Sequence, residues 1–222
     1  MIDNLNRYFD HSILKSETTL EDITRLCREA RELQFFGIAI NPCWVAAARK
    51  ELSGTGIKII SVSGFPLSAN RTDIKVLEAV RGVEDGADEI DMVANVGWLV
   101  SGEFVRAERE ILEVRQNLPA QIVLKVIIEA PKLTSAAQVD ATKAVINGGA
   151  QFVKTATGFF GGATVETVKR LKQAAEGKIK VKASGGIRTL KETFALIEAG
   201  ADRIGSSASV EIMKEYGPVT AR

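Results

Sequence analysis

Short apolar runs alternate along the chain with longer segments whose apolar residues recur at helical spacing. Tyr8–His11, Phe36–Ile40, Ile57–Val62, Glu89–Val93, Gln121–Ile128, Phe152–Thr155, Ile179–Ala183 and Arg203–Ile204 read as eight strands, the last one short. Between them, Leu20, Ile23, Leu26, Cys27 and Ala30 fall on one helical face. So do Ile74, Leu77, Val80 and Val83, and so do Phe104, Ala107, Ile111 and Leu112. Thr189 and Glu192 have the spacing of a capping box, and Pro42 suits the first turn of a helix. Gly86-Ala87-Asp88, Gly149-Ala150-Gln151 and Gly200-Ala201-Asp202 each close a helical pattern and open a strand. Glycine there can take the left-handed conformation that ends a helix.

Strands that alternate with helices imply a parallel sheet. Eight such units predict an α/β chain folded as one (β/α)8 barrel, the TIM barrel, over residues 1–222, with 216–222 as a flexible tail. An open doubly wound sheet is the runner-up, and the missing Gly-x-Gly-x-x-Gly after the first strand weighs against it.

Three lysines interrupt this pattern: Lys125 in Leu-Lys-Val-Ile-Ile, Lys154 in Phe-Val-Lys-Thr and Lys182 in Lys-Val-Lys-Ala. Lysine is almost never fully buried unless paired. A desolvated lysine has a lowered pKa and can attack a carbonyl to form a Schiff base. Strand alternation puts Asp91, Lys125, Lys154 and Lys182 on the inner face, and Ile90, Met92, Val153 and Val181 against the helices. Asp91, Lys154 and Lys182 also stand near the carboxyl ends of their strands, where barrel enzymes carry their chemistry. A structural ion pair is the competing reading. It fits Lys125 best, with Asp91 or Glu89 as partner.

After the seventh strand comes Ala183-Ser184-Gly185-Gly186-Ile187-Arg188-Thr189, and after the eighth Gly205-Ser206-Ser207-Ala208. Paired loops of this kind, opening onto helix N-termini, predict a phosphate site, with Gly158 closing its third side.

The chain has 29 Lys+Arg against 28 Asp+Glu and a single histidine. No basic block suggests nucleic acid or an anionic membrane, and no apolar run approaches a membrane span. Cys27 and Cys43 lack metal-ligand spacing. A cytoplasmic protein without a metal or other cofactor is expected. Trp44 and Trp98 could mark either an interface or core packing.

The motifs together resemble the class I, Schiff-base, deoxyribose-phosphate aldolase family. They are Phe9-Asp10-His11 with Leu14-Lys15, Asn41-Pro42, Gly64-Phe65-Pro66-Leu67, Asp88 to Val93, Leu124 to Glu129, Phe152 to Thr155 with Thr157-Gly158-Phe159, Gly161 to Thr164, and Val181 to Thr189. They span nearly the whole chain. The resemblance implies reversible cleavage of 2-deoxy-D-ribose 5-phosphate to D-glyceraldehyde 3-phosphate and acetaldehyde, in deoxynucleoside catabolism. It implies Lys154 as the Schiff-base lysine, Lys182 as its partner and Asp91 as the proton-shuttling carboxylate. Asp10 and Ser12 match the region that meets substrate hydroxyls. Lys125, Gly158, Gly185, Gly186, Gly205, Ser206 and Ser207 are expected to complete the substrate and phosphate site. The partners implied are a phosphosugar and an aldehyde, with a homo-oligomer, dimer or tetramer, by family analogy. The departures from the pattern are Ala156 for serine, Ala130 for threonine, Ser12 for threonine, Ser68 for glycine and Ala208 for serine. The competing readings are another Schiff-base barrel aldolase acting on a different aldehyde or keto-acid, and a catalytically idle phosphosugar-binding protein. The Asp91, Lys154 and Lys182 set argues against the second, because binding needs no neutralised lysine.

Overall fold

The computed structural model describes residues 2–217. Eight parallel strands close into a barrel in chain order, β1 (Phe9–Ile13), β2 (Gly37–Ile40), β3 (Lys58–Ser63), β4 (Glu89–Val93), β5 (Val123–Ile127), β6 (Phe152–Lys154), β7 (Lys180–Ser184) and β8 (Arg203–Ser206). The helices between them are α1 (Leu20–Glu32), α2 (Val45–Glu51), α3 (Thr72–Glu84), the short α4 (Val96–Val100), α5 (Phe104–Gln116), α6 (Ser135–Asn147), α7 (Val165–Ala175), α8 (Leu190–Glu198) and α9 (Ser209–Tyr216). This is the (β/α)8 barrel that the alternation predicts. Each strand end moves by a few residues at most. β8 is longer than predicted because Gly205 and Ser206 continue the ladder against Asp10 and His11.

The alternation holds face by face. Ile90, Met92, Val126, Val153 and Val181 join the core between strands and helices. Asp91, Lys125, Lys154 and Lys182 meet one another inside the barrel. The repeated Gly-Ala-Asp/Gln turn does more than end a helix. Gly86, Gly149 and Gly200 take positive φ (109°, 78° and 109°). The third residue of each repeat then uses its side chain to accept a backbone N–H from the strand before. Asp88 takes that of Ile59, Gln151 that of Leu124 and Asp202 that of Val181.

One helical face differs from expectation. α3 turns Lys75, Ala79 and Gly82 inward and leaves Ile74 and Leu77 about half exposed. Gly82 lets the helix lie close on β3, since a Cβ there would stand 2.9 Å from Ser61 Oγ. Lys75 is buried because it is paired: its Nζ donates to Glu110 Oε1 at 2.8 Å and to the Val93 carbonyl at 2.9 Å. Burial pushes the Lys75 ammonium down and the Glu110 carboxyl up, against the pull of each on the other. Glu110 also accepts the Asn95 N–H. The pair thereby ties α3 and α5 to the carboxyl end of β4. Tyr216 ends α9, where its hydroxyl donates to the Ile2 carbonyl. The rest of the expected tail, from 218 on, lies outside the described residues.

Among the described residues no helix is long and apolar enough to cross a membrane. Trp44 packs on the edge of the core, and Trp98 lies 4.1 Å beneath the Arg106 guanidinium.

Candidate active site

A cavity of about 300 Å³ opens at the carboxyl ends of the strands, with Lys154 and Lys182 in its floor. Their strands pair in register, Lys154 beside Lys182 and Asp91 beside Lys125. Period-two alternation then sends all four side chains inward. Lys154 Nζ stands 2.8 Å from Asp91 Oδ2, and Lys182 Nζ 2.7 Å from the same oxygen. Lys125 Nζ takes the other oxygen, Oδ1, at 2.7 Å. One buried carboxylate thus holds three lysines.

These lysines are not equivalent. Lys125 also reaches Glu89 at 2.6 Å, and Lys182 also reaches Asp10 at 2.5 Å. Both of these contacts are ionic, at angles outside hydrogen-bond range, so Glu89 Oε2 and Asp10 Oδ2 carry no hydrogen bond. Lys154 has no second carboxylate contact, and of the three it alone keeps any exposure, 3%. Burial pushes Lys154 down to about 8, with Asp91 opposing and Lys182 assisting. Burial acts on Lys125 in the same sense, but Asp91, Glu89 and Asp10 together raise it. Burial disfavours the charged forms of Asp91 and Asp10. The surrounding cations win in both cases, holding Asp91 well below the carboxylate range and Asp10 at about 2.

Lys154, Lys182, Ser12, Gly158, Gly185, Gly186, Gly205, Ser206 and Ser207 all line the cavity. Three residues expected at the site do not. Asp91, Asp10 and Lys125 are sealed beneath it at 0% exposure, so Asp10 and Lys125 act on the lysines and carboxylates around them and offer no surface to a ligand. The sequence could not separate these layers, because alternation gives a face and says nothing of depth.

The loops after β6, β7 and β8 converge. Gly158, Gly185 and Gly186 have φ of 93°, 92° and 74°. A Cβ on Gly185 would stand 2.9 Å from both the Gly161 carbonyl and Gly162 Cα, so the loops touch through bare backbone. Ser206 does not offer a free hydroxyl. Its Oγ donates to the Ile187 carbonyl at 2.8 Å and accepts the Ala208 N–H, bracing one loop against the next. Lys15 and Arg188 also line this end, two cations that strand and loop patterns left without a role.

Three further groups escaped the sequence reading. Thr155 Oγ1 donates to the Ser184 carbonyl and accepts the Ser184 N–H, locking β6 to β7 beside the lysines. Glu129, buried in a left-handed conformation, accepts from the Thr157 hydroxyl at 2.6 Å and from its N–H at 3.3 Å, which fixes the cavity wall. Arg203 donates to Asp10 at 2.8 Å and stacks 3.3 Å over the Phe36 ring.

Two of the departures from the family pattern, Ser68 and Ala156, are accommodated. Ser68 has φ 63°, which explains a preference for glycine, and its Oγ accepts the Val96 N–H. Ala156 is buried, and its carbonyl accepts the Ser184 hydroxyl. Among the described residues no group of three or more His, Cys, Asp or Glu side chains is arranged to hold a metal.

Residues 5–214 match the family model described as DeoC/LacD family aldolase. The chain is 46% identical over 216 residues to a deoxyribose-phosphate aldolase of Thermoanaerobacter sp. (strain X514), covering 96% of this chain and 97% of that one. The solved aldolase QR15 superposes with a TM-score of 0.92 at 38% identity, over 97% of this chain and 96% of that one. A tetrameric deoxyribose phosphate aldolase from Aeropyrum pernix superposes with a TM-score of 0.87 at 31% identity, over 96% and 90%.

Proposed function

The chain belongs to the DeoC/LacD family of aldolases, and from that premise we propose that it cleaves 2-deoxy-D-ribose 5-phosphate reversibly to D-glyceraldehyde 3-phosphate and acetaldehyde through a Schiff base on Lys154. The observation that carries this is the asymmetry among the lysines. Only Lys154 combines a place in the cavity floor, a single carboxylate contact and an amine brought down to about 8.

The neutral Lys154 amine adds to the C1 aldehyde of the open-chain sugar, and loss of water leaves a protonated imine. The C3 hydroxyl gives up its proton, and the C2–C3 bond breaks with its electrons drawn into the imine. Glyceraldehyde 3-phosphate leaves and an enamine stays on Lys154. Protonation at carbon and addition of water then release acetaldehyde and restore the amine. Lys182 borders the reacting groups and is linked to Asp91, so protons move through Lys182 with Asp91 as its fixed counter-charge. The glycine-bearing loops, with Ser207, Lys15 and Arg188, hold the phosphate and align the carbons over Lys154.

A free lysine with a pKa of about 10.4 is neutral in roughly one molecule in 2,500 at pH 7. An amine titrating near 8 gains more than two orders of magnitude in neutral fraction. Incubation with acetaldehyde and cyanoborohydride should therefore leave one N-ethyl group on Lys154, located by peptide mass mapping. The trapping rate should rise about 50-fold from pH 6 to pH 8, following the neutral amine. An adduct on Lys182 or Lys125 in place of Lys154, or none at all, rules the reading out.

The enzyme works as a homo-oligomer in this reading, as the Aeropyrum pernix relative does. Leu67, Ile74, Leu77, Val100 and Val105 are apolar and more than 45% exposed, a surface suited to a second copy. Sedimentation should show a dimer or tetramer at micromolar concentration, and a monomer there would refute this part. Two free cysteines and a phosphorylated substrate suit the cytoplasm.

A further inference from the structure

The ion contacts do not stop at the cavity floor. Below Lys154, Asp91 and Lys182 lies Asp10, and below Asp10 lies Arg203, which also approaches Glu89 at 3.9 Å. Glu89 returns to Asp91 through Lys125. Seven buried groups thus form one connected set from the cavity to the opposite mouth of the barrel. Four are cations, Lys125, Lys154, Lys182 and Arg203, and three are carboxylates, Asp10, Glu89 and Asp91. Fully ionised, the set carries one positive charge in excess. It balances when one cation releases its proton.

The contacts say which one. Lys125, Lys182 and Arg203 each reach two carboxylates. Lys154 reaches one, through an oxygen it shares with Lys182. Charge is costly in a buried set, and the proton leaves where it is held least. The surplus cation that forces the release is therefore contributed at the far end of the barrel.

We propose that Arg203 and Glu89, neither of which reaches the cavity, are positioning residues that set the ionisation of Lys154 through this network. The proposal rests on Lys154 being the amine nucleophile. Arg203 supplies the extra positive charge, and Glu89 limits it. The Phe36 ring under the guanidinium and the Asp10 bond hold Arg203 in place. The other groups facing Arg203 are Asp3, Arg7, Tyr8, Lys172, Lys180 and Asp202 at the open lower mouth. There solvent screens them. Glu129 also feels Lys154, which pulls its carboxyl down against burial, but its oxygens are engaged by Thr157 and form no salt bridge with the set.

The two residues carry opposite charge, so their neutral variants should displace Lys154 in opposite directions. Arg203→Gln leaves three lysines facing three carboxylates, so Lys154 keeps its proton to higher pH. Glu89→Gln leaves four cations facing two carboxylates, so Lys154 loses its proton at lower pH. Coulomb coupling across intervening contacts, at an effective dielectric constant near 20, is on the order of one pK unit. Arg203→Lys keeps the charge and should keep the parent profile.

The measurement is the rate of acetaldehyde trapping on Lys154 by cyanoborohydride between pH 5 and 9, site-mapped by mass. The acid limb is expected to move up by about one unit in Arg203→Gln, down by about one unit in Glu89→Gln, and to stay in place in Arg203→Lys. Slower trapping with unmoved limbs marks a purely structural role and overturns the proposal, as does a shift of the same sign in both neutral variants. If Arg203→Gln does not fold, Glu89→Gln decides, and an unmoved limb there is enough to reject the network. No Lys154 adduct in the parent protein rejects the Schiff-base reading itself. An adduct in the parent with unmoved limbs in the variants rejects only the network.

Discussion

Replacing Lys154 with alanine is expected to abolish turnover of deoxyribose 5-phosphate, by a factor on the order of 10⁴ or more, and to leave the barrel folded. No neighbour can stand in for it. Lys182 and Lys125 each lie between two carboxylates, and both are fully buried. Lys154 alone meets the cavity with an amine that burial has already pushed toward neutrality. The fold should tolerate its loss because Lys154 holds nothing together by itself. Its one partner, Asp91, keeps Lys125 on one oxygen and Lys182 on the other. Lys154→Arg makes the complementary test. It retains the positive charge but cannot be deprotonated, so it should be as inactive as the alanine variant. Steady-state assays with circular dichroism and peptide-mapped trapping separate the possibilities. Turnover of either variant within tenfold of the parent would remove Lys154 from the mechanism.

Much of this site can be read in the sequence because a strand has a period of two. A lysine flanked by Val, Leu or Phe in a strand must share the interior with others like it, and so Asp91, Lys125, Lys154 and Lys182 declare themselves. The glycine-bearing loops are equally visible, since Gly185 and Gly186 require positive φ and allow backbone contact. What stayed hidden has two physical causes. The first is depth. Asp10 and Ser12 share a face of β1, yet Ser12 lines the cavity and Asp10 lies buried below it. Depth depends on how neighbouring strands are staggered, which no single strand records. The second is partnership over long separations. Lys75 and Glu110 sit in amphipathic helices where each would pass for a solvated charge, and only their meeting 35 residues apart makes burial tolerable. Arg203 finds Asp10 across 193 residues. Ser206 shows a related limit, since a serine in a phosphate loop reads as a donor to ligand while its hydroxyl here braces the Ile187 carbonyl.

Changing Asp91 to asparagine should damage both activity and stability, in a way that depends on pH with a definite sign. The carboxylate accepts hydrogen bonds from three lysine ammoniums and has no exposed surface. An asparagine of the same shape offers one acceptor, and its amide donors face cations. Removing one partner of a buried ion set costs about 3–5 kcal/mol. Activity should fall by about 10²-fold or more, because the proton relay through Lys182 loses its counter-charge. The loss of stability should shrink as pH rises from 7 to 10. In the parent, Asp91 raises Lys125 and opposes the lowering of Lys154 by burial. Without it, the folded state holds its lysine protons more weakly than before, while the unfolded chain still titrates near 10.4. The unfolded variant then binds more protons than the folded one across that window, and unfolding becomes less favourable as pH increases. Urea unfolding of parent and Asp91→Asn at pH 7 and pH 10 gives the comparison. A deficit of several kcal/mol at neutral pH that narrows at pH 10 is the expected result. A constant deficit would mean that the three lysines find other partners, and that the barrel interior does not depend on this single carboxylate.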